Sequence, residues 1–170
     1  MTHAPLKTGL AALWSLLLVF SSPAAELVVP QGKTILVVSV KIEKTNVGDT
    51  AAFDRDMLEA LGTETITTKT PWFDGESKFS GVSLDKLMQV LGADGRSVTA
   101  IALNDYVTSI PIEDFSRFGV IMALKRDGKY MSVRDKGPLF IIYPFDSEPS
   151  LQEQTYFGRS AWQVAKLVVE

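Results

Sequence analysis

The 170-residue chain has no cysteine, and its one histidine is His3. Without thiols no disulfide can staple the fold, so stability must come from packing. A Cys–His nucleophile is excluded. His3 precedes an apolar run that reads as a removable leader. A chain shortened there has no imidazole, which removes Ser-His-Asp catalysis as well. Structural zinc, which prefers Cys and His, is not expected. A haem iron would find only Met or Tyr as an axial ligand. There is no G-x-x-x-x-G-K and no G-x-G-x-x-G, so no phosphate loop of either kind. No block of Lys and Arg occurs, and nucleic acid is not an expected partner. Internal repeats, low-complexity tracts and Pro/Gly linkers are missing too. Any chemistry must rest on carboxylates, Arg, Lys, Tyr, Thr, Ser or a borrowed cofactor.

The N-terminus has the order of a secretory signal. Residues 1–7 hold one lysine and no acid, residues 9–20 are apolar, and residues 21–25 supply small side chains. Cleavage after Ala24 places Ser22 and Ala24 at the small-residue positions. The apolar run falls well short of the roughly 20 residues that span hydrocarbon. These features imply a signal peptide over residues 1–24 and a single domain over residues 25–170. The mature protein is then periplasmic or secreted, with no membrane span. Removing the leader leaves 146 residues with a net charge of −4, because Lys7 is the only charge lost. That length suffices for one core.

Strand patterns dominate the mature chain. Short strands are expected over residues 26–29 and 34–42 (TILVVSVKI). Residues 47–50 form a turn ending in an N-cap, and 51–61 read as a helix with Phe53, Met57, Leu58 and Leu61 on one stripe. Asp54 and Asp56 then fall on its solvated surface. A threonine-rich strand covers 63–70, and residues 71–77 read as a loop. Ser83 caps a second helix that buries Leu84, Leu87, Met88 and Leu91, and Gly92 closes it. Strands at 97–103 and 106–112 flank Asn104-Asp105, and 113–118 make a helical turn. Asp127-Gly128 signals a type I′ hairpin. The apolar run 139–143 reads as a central strand, 146–154 as a polar loop, and 162–169 as the closing strand. The class is α+β, with mostly antiparallel or mixed β-structure and two short helices.

Three constellations carry candidate chemistry. Trp72, after Pro71, is either a core plug or a pocket wall that stacks on a flat ligand. Asn104, Asp105 and Tyr106 make either an Asx turn or a set of donors and acceptors facing a ligand. Arg134 and Lys136, near Gly137-Pro138, are either a solvated turn or a phosphate clamp, and Arg159 is a further candidate cation.

Five segments in this order resemble the molybdopterin-binding domain of the sulfite oxidase type. Residues 79–87 (FSGVSLDKL) are similar to the family's w-x-G-V-x-L-x-x-L-L pattern. Residues 102–106 (ALNDY) lead into Ser109-Ile110-Pro111. Residues 123–129 (ALKRDGK) precede 136–144 (KGPLFIIYP), and 161–169 (AWQVAKLVV) are similar to the closing K-W-x-x-x-I-x-V. The resemblance covers about residues 34–169. It implies a mixed α+β fold with a molybdenum cofactor held among loops. The departures bear on chemistry. The family's metal thiolate would fall in residues 68–77, which hold no cysteine. Histidine contacts to the pterin are impossible. Ala161 stands where the family has a lysine, and Leu139 where an arginine often follows Gly-Pro.

Two functions are expected on these grounds. One is a periplasmic molybdopterin oxidoreductase whose metal takes an oxygen from Thr70 or Asp74 and whose electrons pass to a redox partner protein. The other is a non-catalytic module that binds a small anionic or aromatic ligand, or a partner segment, with no cofactor. The candidate cofactor- or ligand-binding residues are Thr70, Trp72, Asn104, Asp105, Tyr106, Arg134, Lys136 and Arg159. No protein metal ligand and no catalytic residue is assigned.

Overall fold

In a computed structural model of the chain, Met1 and residues 26–170 are described. The expected leader therefore lies, apart from Met1, outside the described residues. Among those residues no helix is long and apolar enough to cross a membrane.

Two five-stranded sheets organise the fold. The first contains β1 (Leu36–Val40), β2 (Ala51–Phe53), β5 (Ser97–Ala102), β6 (Val107–Pro111) and β10 (Val164–Val169), in the order β2-β1-β10-β5-β6. Its β1–β10 pair is parallel and the other pairs are antiparallel. The second contains β3 (Glu64–Thr70), β4 (Phe73–Ser83), β7 (Ile121–Arg126) and β8 (Lys129–Tyr130), with β9 (Phe140–Ile142) also on β7. Four short helices, α1 (Arg55–Ala60), α2 (Leu84–Leu91), α3 (Glu113–Phe118) and α4 (Gln154–Arg159), cover the sheets. The α+β class with predominantly antiparallel pairing is the one the sequence pattern implies.

One core lies between the sheets and takes Leu36, Phe53, Leu87, Leu91, Met122, Ile141 and Leu167. A second lies on the outer face of the second sheet and takes Phe79, Ile121, Ala123, Met131, Phe140 and Ile142. β7 and β9 therefore bury both faces, and alternate residues enter different cores. At Gly81, where the β4–β7 register shifts, a Cβ would collide with the Met122 carbonyl, so only glycine permits the approach.

Helix α2 forms as its pattern implies: the Ser83 hydroxyl accepts from Lys86 N, and Gly92 closes it at φ 60°. The Asp127-Gly128 turn also forms, with φ of 50° and 77°, as a type I′ turn requires.

Several boundaries differ from the sequence expectation. Residues 26–29 form no strand. The helix expected from Ala51 is divided, because Ala51–Phe53 pair with β1 and the helix starts only after Asp54. The loop expected over 71–77 shrinks to a turn at Pro71-Trp72, and the rest enters the 11-residue β4. The run 139–143 is an edge of the ladder rather than its centre. Its far side is tied only by the Phe140–Trp162 bridge and by bonds such as Ile141 N to Ala161 O at 2.9 Å. Its continuous apolar character reflects burial on two faces. The stretch 146–154, read as a polar loop, contains a 3₁₀ turn at Pro149–Leu151 and ends where α4 begins, at Gln154.

Asp54 is buried at 5% exposure instead of solvated. Its Oδ1 accepts from Met57 N at 2.9 Å, capping α1. Its Oδ2 accepts from Gly32 N at 2.8 Å and Gln31 N at 2.9 Å. Led by the Met57 and Gly32 bonds, these donors hold the Asp54 carboxyl below its ordinary 3.8. A lowered value means stability that is present above the ordinary range and lost as pH falls through the folded value. Asp54→Asn, which replaces one acceptor with a donor, should lower Tm at neutral pH. The gap to the parent should shrink below pH 3.8. Thermal melts from neutrality to about pH 2 check this, and a gap independent of pH refutes it.

Candidate functional site

The β3–β4 turn and the segment after β9 meet at a cleft. Strand β3 leaves its outer edge open, and Asp146 closes one end of it. Asp146 Oδ2 accepts from Lys69 N at 2.7 Å, while Asp146 N donates to the buried Thr68 hydroxyl at 3.1 Å. The resulting cavity of about 370 Å³ is lined by Lys69, Thr70, Pro71, Phe145, Asp146, Gln152 and Phe157. Phe157 supplies an aromatic wall, and the buried Phe145 ring packs against it with centroids 5.2 Å apart. Gln152 is oriented by a 3.3 Å bond from its Nε2 to the Phe145 carbonyl. Thr70 Oγ1 is buried and has no hydrogen-bond partner among the described residues. An unmet buried hydroxyl costs about 1–3 kcal/mol.

Beneath the cleft lies Trp72. Its ring meets Phe140 at 5.3 Å, Trp162 at 5.6 Å, Phe145 at 6.0 Å and Phe157 at 6.1 Å. It packs against both cores. Lys136 sits nearby with Nζ 4.1 Å from the Trp162 ring centroid, a cation–π contact. Thr70, Trp72 and Lys136 thus share one aromatic neighbourhood.

The other candidate residues lie apart. Asn104 and Asp105 form the exposed β5–β6 turn, where Asn104 Oδ1 accepts from Tyr106 N at 3.3 Å. The Tyr106 hydroxyl donates to the Gly158 carbonyl at 2.7 Å. Arg159 Nη1 bonds Asp114 Oδ2 at 2.7 Å, and the buried Tyr143 hydroxyl donates to the same oxygen at 2.7 Å. Burial, then the Asp114 carboxylate, pushes the Tyr143 phenol far above its ordinary value, so it stays a donor. These bonds dock α4 on α3 and so position Phe157. Arg134 is exposed on a 3₁₀ turn. Sequence reading missed Phe145, Asp146, Gln152 and Phe157. The Tyr156-Phe157 pair, aromatic just after the polar stretch 146–154, was the available signal for Phe157.

No protein-family model matches the chain, and no curated protein matches it by sequence. Among solved structures the fold is similar to the sulfane dehydrogenase SoxCD of Paracoccus pantotrophus. The identity is 17%, the TM-score is 0.58, and the match covers 79% of this chain. It spans 37% of the SoxCD chain. This likeness is one of fold.

The donor set decides what the cleft can hold. Among the described residues no three His, Cys, Asp or Glu side chains converge to hold a metal ion. The cleft offers a hydroxyl, a carboxylate and an amide, hard donors with no sulfur. A molybdopterin brings its own dithiolene sulfurs, so to its metal these residues would offer only oxygen donors and no thiolate. For a flat heterocycle the cleft offers the Asp146 carboxylate, the Gln152 amide and one aromatic wall, the partly exposed Phe157.

Two substitutions probe this division of roles. Thr70→Val removes the unmet hydroxyl and should stabilise the free protein by about 1 kcal/mol in urea unfolding. A loss of stability would show that the hydroxyl is satisfied. Trp72→Ala removes a ring shared by two cores and should cost about 3 kcal/mol. A cost below about 1 kcal/mol would assign Trp72 to the ligand instead of the core.

Proposed function

We propose that this chain is an exported ligand-binding domain, spanning residues 25–170, on a scaffold of the sulfite oxidase type. It holds a small, flat, anionic heterocycle of the pterin class in the Thr70 cleft without supplying a metal ligand. The unpartnered Thr70 hydroxyl carries this reading, because a buried polar group is retained at a cost unless a ligand satisfies it. Phe157 offers the ring an aromatic wall, Asp146 and Gln152 read its polar edge, and Lys69 attracts its negative charge. The fold likeness to a sulfane dehydrogenase and the five resembling segments support the scaffold. They also favour a second reading, a molybdopterin oxidoreductase that passes electrons to a partner protein. The hard, sulfur-free donor set ranks that reading below the first.

Protein exported from a molybdenum-replete host should carry no stoichiometric molybdenum. It should quench the fluorescence of pterin-6-carboxylate in a saturable, one-site manner. Thr70→Val and Gln152→Ala should each weaken that binding by about five- to tenfold, the worth of one hydrogen bond. Stoichiometric molybdenum would establish the oxidoreductase reading. Metal-free protein that leaves the pterin unquenched would overturn both readings.

A further inference from the structure

A second concavity lies on the opposite sheet, away from the Thr70 cleft. It is a half-open groove of about 240 Å³ over the β1–β10 pair. Ile35, Val37 and Ala165 form part of its floor, and Leu103, Val133 and Pro138 form its rim. Two of the rim residues are unusually wet for their chemistry, Leu103 at 55% exposure and Val133 at 50%. Lys33 and Lys166 also line the groove. Among the described residues neither lysine has an acid within ion-pair distance, and neither does Arg134, which is next to Val133. An apolar slot flanked by unpaired cations is therefore present on a chain of net charge −3.

The rim is assembled by a strained residue. Gln163 holds φ at 54°, a left-handed value uncommon for residues other than Gly, Asn and Asp. In that conformation its N–H reaches the Lys136 carbonyl at 3.1 Å and its carbonyl accepts from Leu103 N at 2.9 Å. Its side-chain Nε2 donates to the Val133 carbonyl at 2.6 Å. Glycine would relieve the backbone strain but could not make the third bond. One residue thus fixes the two exposed apolar rim segments against the β10 edge. Strain concentrated at a concave apolar site is a signature of binding.

We propose that this groove binds a single-chain amphipathic carboxylate. The alkyl chain lies along Ile35, Val37 and Ala165, and the head group is held by Lys33 and Lys166. The volume is below the roughly 300–1,000 Å³ of pockets for drug-sized ligands, which favours one unbranched chain over a ring system. Neighbouring cations select a negative head group over a neutral one.

The probe is decanoate, with decanol as its neutral counterpart, titrated below their aggregation limits by calorimetry. Decanoate should bind one site per chain, and decanol about tenfold more weakly, as expected for two partly exposed charge contacts of about threefold each. Two substitutions at exposed positions preserve the fold, which thermal melting verifies. Lys166→Glu should weaken decanoate by at least tenfold while leaving decanol unchanged. Val133→Glu should weaken both. Binding of pterin-6-carboxylate should be unaffected in either variant, which separates failure of this proposal from failure of the Thr70 cleft. Equal affinity for decanoate and decanol, or decanoate binding that survives both substitutions, would overturn the assignment. So would a concentration-dependent dimer abolished by Val133→Glu, which would make the groove an interface between copies of the chain.

Discussion

Strand β9 bears the constraint on which the rest of the molecule depends. Its residues are buried on both faces, Phe140 and Ile142 into the outer core and Ile141 into the core between the sheets. On one edge it pairs with β7, and on the other it is tied by single bonds to the start of β10. It therefore couples the two sheets. A strand in that position has no polar face to orient it, so register must come from its neighbours. β7 supplies it by the same alternation, with Ile121 and Ala123 facing one core and Met122 the other. The close β4–β7 approach at Gly81 then draws β4 in, and with it the turn that presents Thr70.

The chain leaving β9 builds the cleft. Directly after Tyr143, it places Phe145 under Trp72 and Asp146 against the open edge of β3. The Asp146 contacts to Lys69 and Thr68 are short and bidirectional, so they also protect an edge strand from pairing elsewhere. Helix α4 has six residues and no side-chain cap at its start. Propensity alone would not hold it. It is held instead by Arg159 on Asp114, Tyr106 on Gly158 and the packing of Tyr156 and Phe157. The Arg159–Asp114–Tyr143 network thus sits behind the cleft as support, with its charges already partnered.

How much of this is legible in the sequence depends on where the information resides. Helix α2 can be read residue by residue because cap, apolar stripe and closing glycine all lie within ten consecutive positions. The Asp127-Gly128 hairpin is legible for the same local reason. The division of Ala51–Leu61 is not, because Ala51–Phe53 carry no strand pattern of their own and are extended only by pairing with β1. Asp54 looks like a surface acid because its other two donors, Gln31 and Gly32, are more than 20 positions away. Trp72 stands out as over-specified for a loop, yet which of its two roles applies depends on four aromatic partners far along the chain. Asp146 and Gln152 are hidden inside a stretch whose composition is that of any solvated loop, and Phe145 sits between it and the apolar run 139–143.

Two threonines at the end of β3 show why the cleft is more than a packing fault. Thr68 and Thr70 are two residues apart, but the β3–β4 register shifts between Lys69 and Thr70, so their surroundings differ. The Thr68 hydroxyl accepts from Asp146 N and donates to the Lys69 carbonyl, so its burial is fully compensated. The next residue after Thr70 is Pro71, which has no N–H to offer. The chain turns away there, and the Thr70 hydroxyl is left buried beside the cavity with no partner among the described residues. Valine at this position would keep the β-branched shape and remove the cost. Threonine therefore serves no folding purpose that the described structure displays. Under the proposed reading its partner is a donor or acceptor brought into the cleft from outside.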